Sequence, residues 1–478
     1  MTTHPSRRVQ IPALNEYRFE LEKDEAISIR LVEGTAEIFG YELAFAVPNP
    51  FSDECRAAVF TWKGATIEIG KVSTDYVAEE TPVPSYFNVH LAIQKMRLQA
   101  RPPTTSGQGE EVHGPRVMVL GTAGSGKTSL VKTLVNWSAR QNRAGNLREG
   151  SLEMLGAFTV PGTVSLATIR EPIGTTTPVH VLGTTLTTGL PVVTPEPALT
   201  TSTEYKPTVN HDLFAPHLSS LSLWYGAFTW GSNAALAEVA LKKAAALAVK
   251  KVEESGDENL WKGGMVIDTP DEFAEKKHGQ SVTRAVREFG VTTMIVVGDE
   301  KLYIELQRLM STNKSVTLVR VPKGGGSSEP HIAQRSRIRD RQIRSYFHGG
   351  PRISQGALSP FLNVIKFEDL KIYRVGADVM APTSALPIGG TSVISETQLT
   401  ELDPLTCRPS ELLNHLLALL HAADDATDEV KVESPVIGFV HIAKVDVAKK
   451  QYSVLAPMRG RLPRKTAILA NVEWQDIL

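Results

Sequence analysis

The rhythm of apolar and polar positions changes twice along this chain. Residues 26–32 (AISIRLV) alternate with period two, and residues 37–39, 57–62 and 66–69 add further short strands. Gly34, Gly40, Gly64 and Gly70 punctuate them as turn residues, so the opening stretch predicts a small β-sandwich or barrel. Residues 88–99, with Val89, Leu91, Ala92, Ile93 and Met96, predict a linking helix, and residues 102–109 form a polar Pro/Gly/Ser linker. The rhythm then becomes unbroken apolar runs at 116–120, 264–268, 292–297 and 315–321. Helical stretches separate them, among them 128–140 and an Ala/Lys-rich 234–254 with Ser232 as its candidate cap. Such an alternation predicts a parallel sheet covered on both faces. Residues 171–206 are rich in Thr, Pro and Gly and predict a long surface insertion. Beyond about residue 345, strand patterns return at 363–367, 371–375, 436–442 and 452–456, interrupted by 412–422, which reads as a helix.

The expected architecture is therefore α/β: a central P-loop domain, its parallel sheet flanked by helices, between a small N-terminal β domain and a C-terminal β-rich domain. The expected boundaries are 1–101 for the β-sandwich, 102–113 for a linker, 114–334 for the central domain with a loop insertion at 171–217, and 335–478 for the last domain. A chain of 478 residues is too long for one core, which agrees with several domains.

Composition narrows the function classes. A formal net charge of −1 gives no global basic field to attract nucleic acid, so any such contact has to come from a local patch. Two cysteines, Cys55 and Cys407, argue for a reducing compartment and against a zinc module. The N-terminus has no apolar signal core, and no stretch approaches the ~20 apolar residues of a membrane span, so a soluble intracellular chain without membrane contact is expected.

Chemistry concentrates at residues 121–128 (GTAGSGKT), a complete G-x-x-x-x-G-K-[ST] loop between an apolar strand and an amphipathic helix. In that context the backbone from Ala123 through Gly124, Ser125 and Gly126 curls around a phosphate at a helix N-terminus. Lys127 reaches the β/γ-phosphates, and Thr128 places a hydroxyl on Mg²⁺. Asp268, at the end of an apolar strand, is a candidate Mg²⁺ carboxylate or a capping aspartate at a strand-to-loop turn. Arg335, Arg337, Arg339, Arg341 and Arg344 form a basic cluster, with Arg337, Arg341 and Arg344 on one helical face. That face suits RNA phosphates or a solvated, salt-bridged interdomain helix. Lys323, followed by three glycines, fits a nucleotide-proximal loop or an ordinary turn. The histidines lack metal-ligand spacing. No Asn-Lys-x-Asp motif follows the later strands, which weighs against a GTPase.

Short segments in one order resemble the Clp subunit family of the eukaryotic mRNA cleavage and polyadenylation machinery, of the fungal type. The family is related to polynucleotide 5′-hydroxyl kinases. The segments include residues 16–20 (EYRFE), 34–40 (GTAEIFG), 58–62 (AVFTW), the phosphate loop, 160–163 (VPGT), 339–347 (RDRQIRSYF), 371–376 and 386–389. The resemblance implies ATP as the nucleotide, with the N-terminal domain folded against it through Glu16 and Arg56. The second position is usually lysine in the family, so a planar guanidinium replaces a point charge. On the residues alone, both read as solvated strand-edge charges.

Two departures bear on catalysis. Phosphoryl transfer needs a carboxylate for the metal's water shell and a base for the attacking hydroxyl. Family members carry an Asp-x-Asp strand before the VPGT segment. Here residues 143–155 contain no aspartate and no apolar run long enough for a central strand, and 146–150 resemble a remnant without the acidic pair. After Asp268–Thr269, active relatives continue with Gly-Trp, whereas this chain has Pro270, Asp271, Glu272 and Phe273. The implied function is a nuclear, ATP- and Mg²⁺-binding scaffold subunit of the pre-mRNA 3′-end cleavage factor. It holds ATP without turnover, shaping the central domain as a docking surface for a partner scaffold subunit. The alternative is an active RNA 5′-hydroxyl kinase using Lys127, Thr128 and Asp268.

Overall fold

The computed structural model describes residues 6–52, 54–102, 111–141, 152–175, 220–348, 360–375, 397–457 and 465–475. Most of the expected 102–113 linker and 171–217 insertion, and the segment 142–151, lie outside the described residues. The chain divides into two units. The first comprises Met1–Gly156, Leu166–Thr184 and Ala245–Ile338; the second comprises Ala157–Ser165, Thr185–Ala244 and Arg339–Leu478.

The first unit opens with a β-sandwich. One sheet orders Arg7–Ile11, Ala65–Ile69, Ala26–Gly34 and Pro48–Ser52; the other orders Tyr41–Glu42, Glu37–Ile38, Arg56–Phe60, Glu16–Glu20 and Thr74–Ala78. Period-two alternation sends Tyr17, Phe19, Ile29, Ile38, Val59 and Ile67 into a shared core. The predicted linking helix runs over Val83–Gln99, starting earlier than its apolar pattern because Pro84 is compatible with a first turn. Then comes a parallel sheet in the order Thr317–Val321, Thr293–Val297, Arg116–Leu120, Met265–Asp268, Leu152–Gly156. Its unbroken apolar strands are what burial on both faces requires.

Leu152–Gly156 corrects the expectation that residues 143–155 hold no central strand. All five residues are buried, and Glu153, Met154 and Leu155 pair in parallel with Met265, Val266 and Ile267. The strand was hidden because a glutamate interrupts its apolar run. Glu153 is tolerated there because Thr168 donates to it at 2.9 Å and Lys251 lies 3.2 Å away. The expected cap Ser232 is also displaced: it sits inside the 3-10 turn Trp230–Asn233 that precedes the helix Ala234–Glu254, and its hydroxyl pairs with Thr229.

The sandwich is fastened to the helix that follows the phosphate loop, Lys127–Gln141. Trp137 donates its indole N–H to the buried Glu37 at 3.0 Å, and Arg140 pairs with the same carboxylate. Asn136 donates to the Phe39 carbonyl at 2.9 Å. Gly40 (φ 75°) lies so close that a Cβ there would stand 2.7 Å from the Thr133 carbonyl, so this approach needs glycine.

In the second unit a β-rich sheet runs Leu221–Trp224, Val436–Asp446, His415–Leu420, Thr466–Glu473, Lys371–Val375, Leu399–Leu402. Gln451–Ala456 also pairs with Val436–Asp446, and Phe361–Lys366 pairs with Gln451–Ala456. The expected helix over 412–422 is instead the strand His415–Leu420, held antiparallel between two neighbours and buried over five of its six residues. A continuous apolar run carries no period that distinguishes strand from helix.

Candidate nucleotide site

The phosphate loop emerges from the fully buried strand Arg116–Leu120 and feeds directly into the helix Lys127–Gln141. Gly124 (φ 65°) and Gly126 (φ 90°) take left-handed conformations. A Cβ on Gly124 would stand 2.5 Å from the Glu329 Cα, because residues 324–330 close over the loop. Lys127 is buried, and its ammonium donates to the Thr122 carbonyl at 3.1 Å and to Asp271 Oδ1 at 2.6 Å.

Thr128 Oγ1 donates to Asp268 Oδ2 at 2.8 Å, bringing together the two residues that the sequence singled out for a metal. The other oxygen of Asp268 is buried and has no partner, as is the Ser125 hydroxyl. Burial pushes the Asp268 carboxyl up to about 6, against the pull of the Thr128 hydrogen bond and of Lys127; Asp271 pushes the same way as burial. An unpartnered carboxylate oxygen beside a threonine hydroxyl is the oxygen donor set that Mg²⁺ takes. Thr269 donates to the Val119 carbonyl at 2.7 Å, locking the ends of the two strands together.

A cavity of about 450 Å³ extends from this loop to the sandwich, lined by Glu16, Arg56, Tyr86, Gly126, Lys127 and Asp271, among others. Glu16 is buried and accepts from Thr81 at 2.8 Å and from Arg18. Arg56 donates to Glu20 at 2.6 Å and to Ser328, so one guanidinium joins the sandwich to the loop covering the phosphate site. Neither Glu16 nor Arg56 is a solvated strand-edge charge.

Arg18 and Asp271 were not singled out in the sequence. Arg18 donates to Glu16, to the Tyr76 hydroxyl at 3.2 Å and to the Glu80 carbonyl at 2.6 Å. Its signal was available: Glu16, Arg18 and Glu20 alternate along one strand with the core residues Tyr17 and Phe19. Asp271 had no comparable signal beyond lying three residues past Asp268.

The structure separates the basic residues. The helix Ile332–His348 carries all five arginines. Within the first unit, Arg337 grips Glu54 with Nε at 3.0 and 3.1 Å from the two carboxylate oxygens. Arg335 pairs with Glu329 at 2.7 Å. Arg341 and Arg344 are partly buried and have partners of their own. Lys323 is exposed beside the turn at Gly298, whereas the serines after its glycines line the cavity. Glu153 gives the site no second carboxylate. It lies abreast of Met265, at the opposite end of the strand from Asp268, and Leu155 and Gly156 occupy the near end.

Comparison with known proteins places this geometry. Three family models match: the N-terminal β-sandwich domain of polyadenylation factor over residues 10–100, the mRNA cleavage and polyadenylation factor CLP1 P-loop over 193–349, and pre-mRNA cleavage complex II protein Clp1 over 358–476. The chain is 35% identical to an mRNA cleavage and polyadenylation factor CLP1 of Laccaria bicolor, over 96% of each chain. It is 32% identical to a CLP1 homolog of Arabidopsis thaliana, over 98% of this chain and 94% of the relative. A polyribonucleotide 5′-hydroxyl-kinase Clp1 of Rattus norvegicus is 29% identical over 99% and 97%. Among solved structures, Clp1p in complex with Pcf11p, in a point mutant described as having lost ATP, shares the fold at a TM-score of 0.77 and 20% identity, covering 98% of this chain and 99% of that one. No helix among the described residues is long and apolar enough to cross a membrane.

Proposed function

The chain belongs to the Clp1 family of mRNA cleavage and polyadenylation factors, and from there we propose that it is a nuclear, ATP-binding subunit of the pre-mRNA 3′-end cleavage factor that holds its nucleotide without turning it over. The observation that carries this reading is the asymmetry of the site among the described residues: a complete phosphate cradle beside one strand-end carboxylate, Asp268, while the other carboxylate near the phosphates, Asp271, is engaged by Lys127. Lys127 and the loop backbone bind the phosphates. Thr128 and Asp268 hold Mg²⁺, which neutralises phosphate charge. Glu16 and Arg56, from the sandwich, close over the nucleoside end, so nucleotide joins the sandwich to the P-loop sheet. The Clp1p solved with Pcf11p supports a partner subunit for this chain; the central domain is the docking surface proposed for it.

Phosphoryl transfer needs a base within reach of the attacking hydroxyl in addition to the metal carboxylate. On the neighbouring strand that place is taken by Leu155 and Gly156. The kinase named among the relatives makes the alternative concrete: an RNA 5′-hydroxyl kinase, with Arg341 and Arg344 toward the RNA.

One experiment separates the readings. Purified full-length protein is assayed for bound nucleotide and for transfer of labelled γ-phosphate to a 5′-hydroxyl oligoribonucleotide. Retained ATP with no transfer above a Lys127→Ala control is the expected result. Transfer above that control establishes the kinase. A Lys127→Ala protein that binds ATP normally defeats both.

A further inference from the structure

We propose that Asp271 is a tethered competitor for phosphate, occupying Lys127 until nucleotide displaces it and so setting the affinity of the site. This rests on the nucleotide-binding reading above.

The carboxylate of Asp271 stands 2.6 Å from the Lys127 ammonium, in the position a phosphate oxygen takes on a phosphate-loop lysine: an anionic oxygen at hydrogen-bond distance. The lysine side chain is 4% exposed, and its other acceptor is the Thr122 carbonyl. Asp271 is thus its direct ion-pair partner. The Asp268 carboxylate, which also faces this lysine, is engaged by Thr128.

The backbone of Asp271 is fixed. Thr269 is tied to the Val119 carbonyl and is further restricted by the proline after it, the Pro270 ring fixes its own φ, and Phe273 is buried with its N–H on the Pro270 carbonyl at 3.1 Å. The carboxylate is free to swing, since the Asp271 side chain is 48% exposed and lines the cavity. Nucleotide therefore meets a lysine already neutralised by a carboxylate that cannot diffuse away. Once displaced, Asp271 stays near the phosphates with its own cation taken, and like charges repel. Both effects weaken binding, so apparent affinity falls with the fraction of molecules in which Lys127 is available.

The test is isothermal titration of the full-length protein, first stripped of retained nucleotide, with ATP and excess MgCl₂, comparing wild type with Asp271→Asn and Asp271→Ser, together with thermal melts with and without added ATP. Both variants are expected to lower the Kd roughly fivefold. They are also expected to melt earlier than wild type without nucleotide, since Lys127 loses its anion, and to gain a larger upward shift on adding ATP. An unchanged or raised Kd in both variants overturns the proposal; a raised one makes Asp271 part of what holds the nucleotide. If wild type fails to bind and Asp271→Asn binds, the competitor is confirmed in its strongest form. If wild type binds and the variants match it, only this inference falls, whereas failure of all three to bind removes the nucleotide reading as well.

Discussion

The indole N–H of Trp137, on the helix that follows the phosphate loop, donates to Glu37 of the N-terminal sandwich across 3.0 Å, and both side chains are buried. Arg140, one turn further along the helix, pairs with the same carboxylate. Burial raises the Glu37 carboxyl, and Arg140 and Trp137 pull it back. Replacing Glu37 by Ala leaves the buried indole N–H without its acceptor and removes one of the two carboxylates of Arg140, which keeps Glu42 at 2.9 Å and the Gly40 carbonyl at 3.2 Å. The expected loss is about 2–4 kcal/mol, read by urea unfolding of the full chain. Trp137→Phe removes one neutral donor and retains an aromatic ring for the edge-to-face contact with Phe87, so about 1 kcal/mol is expected. Equal losses for the two substitutions would mean that the carboxylate is not the shared anchor.

The Thr128–Asp268 pair makes a metal-specific prediction. Thr128→Val and Asp268→Asn each remove one oxygen donor from the pair, so each should weaken ATP binding about tenfold with Mg²⁺ present. Binding in EDTA should change little, because the phosphates then rest on Lys127 and the loop backbone. The double variant should lose no more than the worse single one, as expected for groups acting through one ion. Equal losses with and without Mg²⁺ would assign the pair to the loop's own architecture.

The parts of this fold legible in the sequence are those where one period holds. The strand Arg116–Leu120 falls where its apolar run predicts, and the sandwich strands follow their alternation because only one face of each is buried. Legibility fails where burial on both faces erases the period, as in His415–Leu420, and where a paired charge interrupts a core strand, as Glu153 does in Leu152–Gly156. The phosphate loop and Asp268 were readable because their chemistry is contiguous or strand-terminal. Asp271 was not: its significance is the lysine it meets, a contact created by the fold between residues 144 positions apart.

Arg337 illustrates the same point from the opposite side. The sequence left it two places, a phosphate-facing stripe or a salt-bridged helix, and the fold gives it the second: its guanidinium is spent on both oxygens of Glu54, whose side chain is 6% exposed. Fork-to-carboxylate geometry is specific to arginine, so Arg337→Lys should lower the melting temperature nearly as far as Arg337→Ala. Glu54→Gln should do likewise, with little further loss in the double variant. RNA affinity, measured by fluorescence anisotropy, should follow folded protein concentration. A drop in RNA affinity with the melting temperature unchanged would return Arg337 to the phosphate-facing stripe.

Lys132 gives a pH prediction. On the helix Lys127–Gln141 it is buried, donates to the Gly174 carbonyl at 2.7 Å and lies 5.8 Å from the Phe39 ring centroid. Burial lowers its ammonium to about 7 from 10.5, with the nearby Cys55 thiol pulling the other way. Between those two values the unfolded chain carries a proton that the folded chain lacks. Stability therefore rises with pH across that window, and the penalty for the buried amine is fully present below about 7. Lys132→Met keeps the length of the side chain and removes the titration. Its unfolding free energy should be flatter than wild type from pH 7 to 10, measured in urea at fixed ionic strength. At pH 7 the lost Gly174 bond, worth about 1 kcal/mol, is offset by removal of the buried amine. Other groups titrate in the same window, so the decisive quantity is the difference between the two slopes. Parallel slopes would mean that the amine keeps its proton on folding, with solvent reaching it through the Gly174 side.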